Sequence, residues 1–303
     1  MNTSQAAAAM EIACIEYIEA LKAGSASAAS EAIDRALANG ASPSKIYLKV
    51  LMPAQVAIGE LWHSGKGTIS EEHLATQITL SEMTRLRHVM QPKSSLGLRA
   101  VIATIDGDPH FLGGRVVADF LFMDGWEVDF LGTNTPSDDL VKFVRSRGAD
   151  LVGLSITLEN SLAELGKAVR DLKALEKSPK IMIGGPAVQR ASESILKQLA
   201  PDAIAHDAKQ AVEEARKICG LLGSHASLNQ YLRGMGARIL EARKVRKFSQ
   251  QDLADGSGLD RAYISSVENG KQNVTIGAVF KLADALDIAL EELLIGAGRA
   301  KQF

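Results

Sequence analysis

The chain has 303 residues, 46% of them hydrophobic, with 34 Lys and Arg against 36 Asp and Glu and a net charge of -2. That length gives room for two or three domains, and the charge balance excludes a global basic field, so any DNA-binding surface has to be local. Cys14 and Cys219 are the two cysteines and lie far apart. They fit free thiols in a reducing cytoplasm better than a disulfide framework, and the absence of a long apolar run or leader pattern makes the expectation cytoplasmic, with no membrane partner.

Four helical patterns fill the first 90 residues. Ser4 to Ala23 spaces Met10, Cys14, Tyr17 and Leu21 by threes and fours, and Ala26 to Asn39 does the same with Ala29, Ile33 and Leu37. A third helix runs from Ser44 to about Trp62, with a kink expected at Pro53, where a donor is missing and the ring crowds the preceding turn. The fourth is expected to start with Ser70 as N-cap, Glu71 and Glu72 in its first turn, and to reach about Met90. The expectation is a four-helix bundle over 1–91.

After Gln91-Pro92-Lys93-Ser94-Ser95 the period changes. Strand-like runs at Ala100–Ile105, Glu127–Leu131, Leu151–Ile156, Ile181–Ile183 and Ala203–Ala205 alternate with helical patterns near Gly114–Asp124, Ser137–Arg147, Ser161–Leu175, Ser192–Leu199 and Lys209–Leu222. Alternation of this kind predicts a Rossmann-like five-stranded parallel sheet covered on both faces over 97–222, whose ligands sit at the carboxyl ends of the strands. Asp108, His110, Ser155 and Gly184-Gly185 all fall at those ends. Residues 223–236 read as a linker, and 237–296 as a small all-α domain with helix starts at Ser249, Asp260 and Thr275. The fold class is multidomain, α and α/β.

Asp108-x-His110-x-x-Gly113, followed by Ser155-x-Thr157 and Gly184-Gly185, resembles the cobalamin-binding domain of corrinoid proteins. Read alone, a histidine in such a loop is as well explained as a turn residue. The resemblance implies that His110 ligates cobalt from below, that Asp108 accepts its other ring proton, and that the glycines let backbone approach the nucleotide tail. Thr157 stands where many members carry leucine.

In the bundle, Trp62-His63, then Ile69, then Glu72-His73, resembles the cap of adenosylcobalamin-dependent photoreceptor regulators of the CarH type. The resemblance implies that Trp62, Ile69, Glu72 and His73 contact the adenosyl group, Ile69 in a place usually held by valine. It makes His63 the upper cobalt ligand after light breaks the carbon–cobalt bond. The alternative is a tryptophan at a helix end followed by an acidic first turn.

Phe248-Ser249-Gln250-Gln251-Asp252-Leu253-Ala254, Gly258-Leu259-Asp260 and Tyr263 to Lys271 resemble the helix-turn-helix of phage repressor and Cro-like regulators. The resemblance pairs Arg243 with Glu268 and puts the second helix in the major groove. Arg261, Ala262, Tyr263 and Ser266 would then face bases, and Gln250, Asn269 and Lys271 would hold phosphates of double-stranded DNA. Arg238, Arg243, Lys244, Arg246 and Lys247 add a basic run beside Glu241.

Together these readings imply a non-enzymatic, cobalamin-dependent and light-responsive transcriptional regulator. It would bind adenosylcobalamin and act as a homo-oligomer, a dimer or tetramer, whose assembly and DNA affinity change on photolysis. CarH-type regulators carry their DNA-binding domain at the N-terminus, so a C-terminal repressor-like domain leaves the direction of switching open. Two alternatives stand beside this: a corrinoid carrier or methyltransferase subunit holding methylcobalamin or another cobalamin, and a cobalamin sensor without photochemistry.

Overall fold

The computed structural model describes residues 3–221 and 228–294. The chain forms two compact units, one up to Lys93 and one from Ser94. The first is all helical: α1 (Thr3–Lys22), α2 (Ala26–Ala38), a short α3 (Pro43–Ile46), α4 (Met52–His63) and α5 (Ile69–Val89). Its core holds Tyr17, Ile33, Ile46, Tyr47, Leu51, Met83 and Leu86, each out of contact with solvent.

Two local details depart from the sequence expectation. The disturbance attributed to Pro53 takes the form of a π-helical segment over Tyr47–Leu51 joining α3 to α4. A wider turn placed just before the proline absorbs the donor it lacks. The N-cap of α5 is Thr68, two residues ahead of Ser70, because Thr68 and Glu71 form a reciprocal capping box: the Thr68 Oγ1 accepts from the Glu71 N–H at 3.2 Å, and Glu71 Oε2 accepts from the Thr68 N–H at 2.6 Å.

From Ser94 the chain builds a parallel sheet from β1 (Arg99–Thr104), β2 (Glu127–Phe130), β3 (Leu151–Ser155), β4 (Lys180–Gly184) and β5 (Ala203–Ala205), in the order β2-β1-β3-β4-β5. The crossovers are α6 (Leu112–Met123), α7 (Ser137–Arg147), α8 (Leu162–Lys173) and the pair α9 (Pro186–Arg190) and α10 (Glu193–Leu199), and α11 (Ala208–Ile218) follows β5. Strand alternation sorts the two cores. Val101, Ala103, Ile105, Val152 and Leu154 pack with residues of α7 and α8, and Ala100, Ile102, Leu151 and Met182 pack with α6 and α11. The chain reverses direction through the sheet between β1 and β3, the position where open sheets of this kind form a crevice.

The C-terminal helices are α12 (Leu228–Val245), α13 (Gln250–Ser257), α14 (Arg261–Glu268), α15 (Ile276–Ala285) and α16 (Leu290–Leu294). Ser249, Asp260 and Thr275 each cap the helix that follows through their side chains. Residues 228–236, read from sequence as linker, belong to α12; Gly223-Ser224-His225 lies outside the described residues. One of the glycines that suggested a loose end, Gly236, has a packing reason. A Cβ on Gly236 would stand 2.2 Å from the Val267 carbonyl oxygen and 2.7 Å from that of Glu268, so α12 and α14 meet backbone to backbone. Gly236→Ala is expected to force them apart and lower the stability of the C-terminal domain by about 1–3 kcal/mol in urea unfolding, the usual cost of overpacking.

Candidate functional site: a carboxylate-held histidine, an exposed tryptophan and a helix-turn-helix

The loop after β1 turns at Gly107, whose φ of 80° suits glycine, and brings Asp108 fully inside while leaving the His110 side chain 46% exposed. Every acceptor position of Asp108 that matters is used. Its Oδ1 accepts from the His110 backbone N–H at 3.0 Å and lies 2.8 Å from His110 Nδ1; its Oδ2 accepts from the backbone N–H groups of Thr157 at 2.5 Å and Leu158 at 3.0 Å. Burial pushes the Asp108 carboxyl up, but the N–H groups of Leu158, Thr157 and His110 and the His110 ring outweigh it, so the group is held below the usual carboxylate range. An ionised Asp108 fixes the proton on Nδ1. With Nδ1 engaged by Asp108, Nε2 is the ring nitrogen of His110 left to serve as a ligand.

Thr104, Ser155 and Gly184 are register neighbours across β1, β3 and β4 and share one sheet face at its carboxyl edge. A Cβ on Gly113 would be 3.9 Å from Ser155 Oγ, and one on Gly114 3.6 Å from Ser155 Cβ, so the start of α6 stands opposite that edge with only small groups between. The Thr104 hydroxyl is buried there and has no hydrogen-bond partner among the described residues. Gly184 and Gly185 are needed by the protein itself: a Cβ would meet the Ala205 carbonyl oxygen at 2.7 Å and the Ile156 carbonyl oxygen at 2.2 Å, and Gly185 has a φ of 102°. Thr157 contributes its backbone, and its carbonyl accepts from Arg190 at 3.1 Å. Leu158 is the contributor that sequence reading missed, because a backbone donor has no side-chain signature.

The donor set suits an axial ligand to a metal that arrives with its own equatorial ligands. His110 offers one oriented nitrogen, and among the described residues no group of three or more His, Cys, Asp and Glu side chains converges to hold an ion. The small-residue edge with its orphan hydroxyl suits an elongated polar appendage. The residues present thus fit a corrinoid.

In the first unit, α4 ends on Trp62 and His63, whose rings lie 4.5 Å apart at 36°. Trp62 is 36% exposed and Ile69, at the start of α5, 50%. Glu72 is partly buried, accepts from the Thr76 hydroxyl at 2.9 Å and lies 3.8 Å from the exposed His73.

In the C-terminal domain, α13 and α14 form the helix-turn-helix, with Gly258 in the left-handed region between them. The Asp260 carboxylate caps α14 at Ala262 and Tyr263. Arg261, Ala262 and Lys271 are exposed and Ser266 half-buried, whereas Tyr263 packs partly onto the core. Two residues expected at phosphates have internal partners: the Gln250 amide donates to Glu268 Oε2 at 2.8 Å and the Asn269 amide to the Ser265 carbonyl at 2.7 Å. Arg243 pairs with Glu268 at 2.6 Å as expected. The basic run is also partly consumed inside the domain, since Arg238 donates to the Leu293 carbonyl at 2.8 Å and Arg246 to Asp287 at 3.1 Å. Ser257, a polar residue in an apolar position, is satisfied by the Leu253 carbonyl at 2.6 Å.

Family comparisons agree with this division. A B12 binding domain matches residues 98–216, a second, distinct B12 binding domain matches residues 15–87, and a helix-turn-helix matches residues 239–293. The chain is 29% identical to dimethylamine corrinoid protein 1 of Methanosarcina acetivorans over 181 residues, which are 58% of this chain and 83% of that protein. It is 30% identical to the HTH-type transcriptional repressor CarH of Myxococcus xanthus over 174 residues, 56% of each chain. The monomethylamine corrinoid protein of Methanosarcina barkeri shares its fold, with a TM-score of 0.57 at 20% identity, covering 67% of this chain and 96% of that one. The chain therefore carries a helical and an α/β B12 binding domain, followed by a C-terminal helix-turn-helix.

Proposed function

We propose that the protein is a cytoplasmic, light-responsive transcriptional regulator that binds adenosylcobalamin and double-stranded DNA. The observation that carries the cofactor half is His110, oriented by the buried Asp108 and presenting Nε2 outward. In this reading His110 is the lower cobalt ligand, with Gly113, Ser155, Thr157, Gly184 and Gly185 around the nucleotide tail. Trp62, Ile69, Glu72 and His73 are assigned to the upper face. Adenosylcobalamin supplies a carbon–cobalt bond that light breaks. His63, stacked beside Trp62 at the end of α4, is the residue assigned to the upper position afterwards, and its movement would be the event that changes oligomeric state and DNA affinity. The protein would regulate rather than catalyse, with Arg261, Ala262, Ser266 and Lys271 at the DNA and Tyr263, Gln250 and Asn269 shaping the reading helix.

Similarity to a dimethylamine corrinoid protein supports a second reading, a corrinoid carrier that serves a methyl transfer. One experiment separates the two. The full-length protein is loaded in the dark with adenosylcobalamin, its absorbance and DNA mobility shift are recorded, and both are repeated after green light. The regulator reading expects a bis-histidine spectrum that His63→Ala lacks, and a sequence-specific shift that light alters. An unchanged spectrum with tight methylcobalamin binding and no shift in either state would establish the carrier.

A further inference from the structure

A set of polar contacts inside the helical unit ends on Glu72, and its polarity is fixed from the core outward. Tyr17, fully buried, shares a hydrogen bond with the buried Thr79 hydroxyl at 3.0 Å. Gln55 on α4 places its amide nitrogen 2.6 Å from that same hydroxyl and 3.2 Å from the Ala75 carbonyl oxygen. A carbonyl only accepts, so the nitrogen end of Gln55 belongs there and its oxygen end faces away. That oxygen lies 3.2 Å from Thr76 Oγ1, whose other neighbour is Glu72 Oε1 at 2.9 Å. The Thr76 hydroxyl therefore faces two acceptors with a single proton, which goes to the charged Glu72 over the shorter distance and not to Gln55.

We infer that Thr76 is a positioning residue that holds Glu72 as a preorganised acceptor for a hydroxyl- or amine-bearing upper ligand, and so favours a nucleoside-capped cobalamin over a methyl-capped one. This rests on the reading that Glu72 faces the upper ligand. With Oε1 occupied by Thr76, Oε2 is the oxygen left to receive a donor. A ribose hydroxyl or an adenine amine offers one; a methyl group offers none. The Gln55 amide ties α4 to α5 through the Ala75 carbonyl and the Thr79 hydroxyl. Gln55 lies two turns before Trp62 on α4, and Thr76 and Thr79 lie one and two turns after Glu72 on α5, so one side chain sets the spacing between the two helix ends assigned to the ligand. A network anchored on a solvent-free tyrosine keeps its geometry before any ligand arrives.

The test titrates the full-length protein in the dark with adenosylcobalamin and, separately, with methylcobalamin, following absorbance. Wild type is expected to prefer adenosylcobalamin. Thr76→Val is expected to weaken adenosylcobalamin binding on the order of tenfold, the value of a hydrogen bond to a charged group, and leave methylcobalamin unchanged. Thr76→Ser, which keeps the hydroxyl, should retain wild-type selectivity. Equal loss of both cobalamins, or of neither, in a Thr76→Val protein with wild-type helical content overturns the inference alone. Equal wild-type affinity for the two cobalamins instead overturns the assignment of Glu72 to a nucleoside ligand, on which the inference stands.

Discussion

Asp108→Asn is expected to lower cobalamin affinity by about 10–100-fold, the usual cost of losing the partner that orients a metal-ligating histidine. The reason lies in the count of donors. Asp108 is enclosed, and four N–H groups point at its two oxygens, from His110 twice and from Thr157 and Leu158. An amide keeps one of those oxygens and replaces the other with an NH2 that faces donors. Either the His110 ring loses its acceptor or the loop after β3 loses two. Asp108→Ala removes both oxygens and is expected to cost several kcal/mol of stability as well, because each orphaned donor carries a penalty of about 1–3 kcal/mol. Titration with cobalamin, alongside thermal unfolding of the same variants without it, separates the two losses. Wild-type affinity in Asp108→Asn would refute the role given to the carboxylate.

Glu268→Ala is expected to cost about 3–5 kcal/mol in urea unfolding of the C-terminal domain, as removal of one partner of a buried ion pair does. The Glu268 and Arg243 side chains are 3% and 11% exposed, and Glu268 receives Arg243 Nε at 2.6 Å, Arg243 Nη2 at 3.1 Å and the Gln250 amide at 2.8 Å. Arg243 in turn donates to the Phe248 carbonyl at 2.7 Å, so one ion pair secures the end of α12, the entry to α13 and the last turn of α14. Loss of the carboxylate leaves a guanidinium inside without its counter-charge. DNA binding should fall with the folded fraction, while cobalamin uptake, which uses none of these residues, should stay at the wild-type level. A variant as stable as wild type would show that the pair is dispensable.

Much of the architecture was legible because it is written in periods and caps. The switch from helical spacing to β-branched runs after Ser95 located all five strands to within a residue or two, and side-chain caps such as Ser249, Asp260 and Thr275 announced their helices directly. The contact between Asp108 and His110 was legible because the two side chains stand two residues apart in one loop. What escaped was whatever depends on backbone groups or distant partners. Leu158 acts through its N–H, α9 is a single turn after Gly185, and Gly236 read as a chain break until the close approach of α14 gave it a reason. The Gln55, Thr76 and Glu72 contacts join residues up to 21 apart whose types are ordinary on helix surfaces. The five basic residues near 243 looked like a surface field, but carbonyl and carboxylate partners claim three of them.

The strand order has a consequence for the order in which the molecule is made. β1 lies beside β2 and β3, and its pairing with β3 joins positions about 50 residues apart, such as Thr104 with Ser155. Asp108 leaves the ribosome early, yet the two donors that occupy its Oδ2, Thr157 and Leu158, follow 49 and 50 residues later. A nascent chain that ends before them has the histidine but nothing to hold its carboxylate, whereas the helices ahead of Lys93 close through contacts already synthesised. If His110 is the cobalt ligand proposed above, cofactor loading is in this sense a late event of biosynthesis, and a chain truncated inside the sheet would lack the donors that orient it.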